Sequence, residues 1–152
     1  GAELEKTNLA ALLHDCAKWM TISQQYEAVA AYDLELDEFE QRNTALLHAN
    51  VGAALAVDFF AVTDEEVLCA VRSHTKGNQS MTLLDKILYV ADFAEPRRVH
   101  KNADRVREIA GRNLDKAVFE VARSKITRLI DKGAVVHPDT IAVYNSAHRT
   151  ID

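Results

Sequence analysis

The sequence predicts an all-α fold. Apolar residues recur at helical spacing nearly throughout, sustained two-residue alternation is hard to find, and capping residues and breakers punctuate the periodic segments. The spacing gives about seven helices. The first runs from about Leu4 to Lys18, with Leu9, Leu12, Leu13 and Cys16 on one face and Glu3 and Glu5 at its electropositive N-terminal end. A second spans Ser23 to about Tyr32. The acidic stretch from Asp33 to Asn43 reads as a connection with at most a short helical turn, and Thr44 to Phe60 supplies a longer helix. Thr63-x-x-Glu66 reads as a capping box that opens a helix carrying Val67, Ala70, Val71 and His74 on one face, ending in the loop from Thr75 to Ser80. The helix from about Thr82 to Ala94 is apolar on most sides, so it should be the most buried, and Pro96 ends it. Asn102 caps a short helix that stops at Gly111, Asn113 caps a longer one reaching Asp131 before Gly133, and Pro138 starts a last helix to about Arg149.

The 152 residues fit one domain, 1–152, without internal repeat or flexible linker. A 48% hydrophobic content with five Gly and two Pro excludes a disordered or low-complexity chain. The balance of 18 Lys+Arg against 23 Asp+Glu, a formal charge of −5, argues against nucleic acid or a membrane surface as partner, so any phosphate-binding patch must be local. The apolar run Val51 to Val57 is far short of the ~20 residues of a membrane span. No secretory signal is visible, and Cys16 and Cys69 form no CxxC pair, as expected in a reducing compartment.

Chemistry is concentrated in five residues. His14 and Asp15 are adjacent inside the otherwise apolar Leu12-Leu13-His14-Asp15-Cys16-Ala17-Lys18; His48 lies in Leu46-Leu47-His48-Ala49; His74 closes the face of Val67 and Val71; Asp92 follows the buried run from Ile87 to Ala91. One such residue is usually a satisfied core group. Five in one small helical domain are hard to bury separately, since each costs about 1–3 kcal/mol if unpaired. A divalent cation satisfies imidazoles and carboxylates together, and this donor set suits iron, manganese, cobalt or zinc better than calcium.

The order of these residues resembles the signature of HD-domain metal-dependent phosphohydrolases. The wording around them, namely Leu12-Leu13-His14-Asp15 with Lys18, Leu47-His48 with Gly52-Ala53, His74-Thr75-x-Gly77 and Ala91-Asp92-x-x-Glu95-Pro96-x-Arg98, is similar to the YqeK-type bacterial family of symmetrical bis(5'-nucleosyl)-tetraphosphatases. The resemblance implies an HD-domain helical bundle, an enzyme that cleaves diadenosine tetraphosphate to two ADP by metal-hydroxide attack, and two divalent ions, iron first with manganese or cobalt as options. It implies that Asp15 bridges both metals, that His14 and Asp92 serve one, and that His48 and His74 serve the other. Asp15 and Lys18 are the residues it makes catalytic. Lys18, four residues after His14, is expected to project from the same helical face toward a bound phosphate. Arg98 and then Arg97 are the first choices for further phosphate contacts, because guanidinium forks match phosphate oxygens; Lys101, Arg105 and Arg107 extend the basic stretch. Thr75 and Gly77 follow a ligand directly, where a glycine lets backbone approach a bound molecule.

The family pattern opens with another His some thirty residues before the His-Asp pair, whereas 13 residues precede His14. The chain is therefore expected to be N-terminally truncated relative to the family, lacking its first helix, with the face of Leu9, Leu12 and Leu13 partly uncovered or filled by a neighbour. Trp19 and Tyr26 are open between stacking on adenine and core packing. His100, His137 and His148 read as surface or loop histidines. An intracellular nucleotide substrate adds to the expectation of a cytoplasmic protein, and a homodimer is an open option. An HD-type nucleotidase or guanosine alarmone hydrolase is the rival enzyme, and a noncatalytic nucleotide-binding HD module is the rival from another class.

Overall fold

The structure, a computed structural model, describes residues 3–100 and 102–151. Among these residues are nine α-helices, one 3-10 turn and no strand, so the all-α class holds while the helix count exceeds the periodicity estimate. Internal contacts divide the chain into two compact units, Gly1–Thr75 and Lys76–Asp152.

The first unit holds α1 (Leu4–Leu13), α2 (Ile22–Ala31), α3 (Glu38–Arg42), a 3-10 turn (Thr44–Leu46), α4 (Leu47–Phe60) and α5 (Glu65–Ser73). The helix α1 stops at Leu13, short of the Lys18 that periodicity suggests. Beyond it the chain runs in tight turns, with Cys16 N donating to Leu13 O, Lys18 N to Asp15 O and Met20 N to Ala17 O. Ala17 is fully buried in a cluster with Ala28 and Val51, so the small side chain lets these turns settle into the core. The Cys16 thiol donates to Gly52 O on α4 at 3.5 Å, tying the same turns to a rigid helix. Of the leucine face, Leu12 is exposed, Leu9 half-buried and Leu13 buried.

Short capping signals explain the other starts. Thr21 and Gln24 form a reciprocal capping box on α2, and Asp37 with Glu40 does the same for α3, so part of the acidic connection folds as a helix. On α5 the cap is Asp64 rather than Thr63. Its carboxylate accepts from Glu66 N and Val67 N, and its charge also favours the positive helix end. Helix α4 packs on α2 and α5, and α1 packs on α5.

The second unit holds α6 (Leu83–Ala94), α7 (Ala103–Ala110), α8 (Leu114–Asp131) and α9 (Pro138–Ile151), with α8 packed against the other three. Tyr89, Val106, Val118, Val121 and Val143 form its core. Thr82 and Asp85 cap α6 reciprocally, and Asn113 caps α8 by accepting from Lys116 N. Asn102 precedes α7 without capping it, since its amide donates to Ser124 Oγ instead. Gly133, at φ 62°, takes the left-handed turn after α8 that a side chain would resist. Among the described residues no helix is long and apolar enough to cross a membrane.

Candidate metal centre

The first unit brings four of the five candidate ligands together. His14 and His74 are the C-cap residues of α1 and α5. Each turns its Nδ1 back onto a helix carbonyl three residues earlier, His14 to Ala11 O at 2.8 Å and His74 to Val71 O at 2.7 Å. A carbonyl only accepts, so each Nδ1 carries the proton, and in the neutral form each ring presents an Nε2 lone pair away from its helix. The same bond satisfies a carbonyl that the helix end would otherwise leave without a partner. His48 comes from the first turn of α4 and is buried.

The three Nε2 atoms converge on Asp15. His14 Nε2 lies 3.5 Å from Oδ2, and the Nε2 atoms of His48 and His74 lie 3.4 and 3.6 Å from Oδ1. His48 Nε2 and His74 Nε2 are 3.3 Å apart. Asp15 Oδ1 is buried and makes no hydrogen bond. With the rings neutral, the His14 and His74 lone pairs face carboxylate oxygens at close range, an arrangement that is repulsive until a cation stands among them. Ligand atoms of His14, Asp15 and His74 all fall within 4.8 Å of one another, a span that one divalent ion can bridge. The donor set therefore fits a transition-metal ion, with the Nδ1 bonds acting as the outer contacts that fix ring orientation.

The electrostatics agree with this geometry. Burial pushes the Asp15 carboxyl up, but the donors around it, the Lys18 ammonium at Oδ2 among them, outweigh it and hold the group well below the usual carboxylate range. Burial pushes His74 down against the pull of Asp15, which favours the neutral ring that a metal requires.

Lys18 reaches the site by a different route from the expected one. Because α1 ends at Leu13, Lys18 is not one helical turn beyond His14; it sits in the following turns and its Nζ donates to Asp15 Oδ2 at 2.8 Å. Thr75 follows His74 directly and is half-buried. Beside the turns that carry Asp15 and Lys18, an apolar cavity of about 530 Å³ is lined by Cys16, Trp19, Met20, Ala28, Tyr32 and Phe59 among others. Tyr26 donates its hydroxyl to Gln41 O.

The remaining candidates belong to the second unit. Asp92, near the end of α6, accepts from Arg98 Nη2 at 3.3 Å, and Arg98 Nε stands 3.7 Å from Glu95. Arg97 is exposed. Gly77 has φ 79°, and a Cβ there would lie 2.5 Å from Val143 Cγ2, so close packing on α9 already accounts for this glycine. Arg107 donates from Nη1 to Ala94 O and Glu95 O, closing the C-terminus of α6, and Arg105 pairs with Glu120. Two members of the expected basic stretch are thereby bound into the fold; Lys101 lies outside the described residues. His137, read as a loop histidine, is buried and accepts from Asp139 N through Nδ1. A charged residue that the motifs do not mark, Lys125, sits over the Tyr89 ring at 3.8 Å. Its signal was its register, because it continues the buried stripe of Val118, Val121 and Ala122 on α8.

A helical scaffold that turns histidines and an aspartate onto one point is the plan of a metal-dependent hydrolase domain. The chain belongs to the HD-domain family, whose model matches residues 1–97. It is 37% identical to the symmetrical bis(5'-nucleosyl)-tetraphosphatase of Bacillus subtilis over 95% of its own length and 77% of that protein. It is 34% identical to the protein of the same name from Staphylococcus aureus, over 94% of this chain and 74% of that one. A crystal structure from Clostridium acetobutylicum, described as a predicted HD superfamily hydrolase involved in NAD metabolism, matches with a TM-score of 0.91 and 37% identity, over 97% of this chain and 78% of the other. The chain is accordingly a hydrolase of the HD type.

Proposed function

We propose that this chain hydrolyses dinucleoside tetraphosphates symmetrically, converting diadenosine tetraphosphate to two ADP. The observation that carries the reading is the convergence of three imidazole Nε2 atoms on a carboxylate whose buried oxygen has no hydrogen bond. The symmetrical tetraphosphatases that resemble the chain over nearly its whole length supply the substrate class.

A divalent ion bound at such a site supplies Lewis acidity toward phosphate oxygens and a water of lowered pKa. Asp15 would hold two ions, iron in the first place, with His14 and Asp92 serving one and His48 and His74 the other. The Nδ1 bonds of His14 and His74 keep their rings from rotating away, so ligand geometry is set before substrate arrives. Lys18, with its side chain about half exposed and its ammonium on Asp15, would exchange part of that contact for a phosphate oxygen when substrate binds. Arg97 and Arg98 would take further phosphate oxygens, and Thr75 and Gly77 would line the substrate path. We place the whole of 1–152 in one HD domain working in the cytoplasm, with a homodimer as its candidate assembly.

Products decide the reading. Diadenosine tetraphosphate incubated with metal-loaded protein and resolved by ion-exchange chromatography should give ADP alone. ATP with AMP would sink symmetrical cleavage, and turnover confined to nucleoside monophosphates or guanosine polyphosphates would favour the rival hydrolases.

A further inference from the structure

Asp92 and Tyr89 are three residues apart on α6, so their side chains share one face of that helix. The ammonium of Lys125, from α8, lies 3.8 Å from the centre of the Tyr89 ring. Helices α6 and α8 pack together, and Tyr89 is fully buried while Lys125 is half-buried, its ammonium seated on the ring. A half-buried cation has given up part of its water and is stabilised by groups of opposite character nearby. Here the aromatic face meets the ammonium, and Asp92 is the acidic residue one turn further along the same face of α6. Arg98 Nη2, 3.3 Å from Asp92 Oδ1, brings a cation to that carboxylate.

We propose that Lys125 is a positioning residue for Asp92: seated on the Tyr89 ring one turn before it, the ammonium works with Arg98 to fix the rotamer in which Asp92 offers its carboxylate. The proposal rests on the reading of Asp92 as a metal ligand. Ligating carboxylates are commonly oriented by outer partners of this kind, and losing one costs about 10–100-fold in metal affinity or activity.

The test is a calorimetric titration of Mn²⁺ into the chelator-stripped full chain, with kcat and KM for diadenosine tetraphosphate measured alongside. Lys125→Met keeps the stem over the ring and removes the charge; it should weaken Mn²⁺ binding about tenfold and lower kcat with KM little changed. Lys125→Arg should recover most of both. Lys125→Gln reads the same comparison should the methionine variant fail to fold, judged by the melting temperature of metal-free protein. Unchanged or tighter Mn²⁺ binding in the uncharged variants overturns the proposal, as does a rise in KM alone, which would make Lys125 a direct substrate contact. Asp92→Asn, run in parallel, separates the two readings. Weakened Mn²⁺ binding there with none in Lys125→Met sinks only the positioning role, whereas wild-type binding in Asp92→Asn sinks the ligand reading and the positioning role with it.

Discussion

Asp15 and Glu120 are both drawn in from solvent, one in each unit, and their surroundings are of opposite kinds. Glu120 is 7% exposed and receives a guanidinium on each oxygen, Arg105 at 3.1 Å on Oε1 and Arg123 at 2.6 Å on Oε2. Donors meet acceptors there, and the carboxylate is complete as it stands. Around Asp15 the nearest ring atoms at Oδ1 are imidazole Nε2 nitrogens, at least one of which offers a lone pair, and Oδ1 goes without a hydrogen bond. Burial of polar groups is thus not by itself the mark of a site. A binding centre is where acceptors are turned upon acceptors, because only a ligand of the opposite character resolves the arrangement.

The largest effect should come from the incomplete carboxylate. Asp15→Asn is expected to lower hydrolysis of diadenosine tetraphosphate by roughly 1,000-fold or more while barely moving the melting temperature of metal-free protein. Wild-type protein given Mn²⁺ at about 100 times its Kd should gain about 2.7 kcal/mol, a rise of about 5–10 °C in melting temperature. The variant should lose that rise. A large fall in metal-free stability in Asp15→Asn would place Asp15 with the structural carboxylates and undo the contrast.

Glu120→Gln should do the reverse. It leaves two guanidinium groups without their carboxylate and should cost about 1–3 kcal/mol by urea unfolding, with Mn²⁺ affinity unaltered. The smallest effect belongs to an exposed cluster, Lys6 with Asp64 at 2.8 Å and Glu66 at 3.1 Å. The Lys6 ammonium holds the Asp64 carboxyl below its ordinary value of 3.8, so this contribution is present above that pH and is lost as pH falls through the lowered value. Wild type and Lys6→Ala should therefore differ slightly in melting temperature near neutrality and converge in acid. A gap that persists in acid would show that the lysine acts through packing on α5 and not through charge.

Much of this contrast was legible in the chain before folding. His14, Asp15, His48 and His74 stand out because each is a polar residue embedded in an apolar stretch, and all four converge. Helix ends were less legible. Thr63-x-x-Glu66 matches a capping box and the true cap, Asp64, with Val67 three residues on, does not, yet caps one residue apart compete on energies of about 1 kcal/mol and the simple cap prevails. The early stop of α1 was hidden for a related reason. Leu9, Leu12, Leu13 and Cys16 keep helical spacing across it, and the turn is set by Ala17 and Cys16 reaching residues on other helices.

The chain by itself determined the all-α class, since helical periodicity and capping are local properties written within a few residues. It also carried the ordered His and Asp residues that place it in the HD family. Tertiary structure alone decided which polar residues complete one another and which do not. Arg107 and Arg105 look in the sequence like members of one basic stretch, open between phosphate and solvent, yet the fold commits them to the end of α6 and to Glu120. Lys125 looks like one more helix lysine until α8 lays it over Tyr89. The physical reason is that the cost of a buried charge depends on the partners it meets in space, and those partners come from helices far apart in the chain.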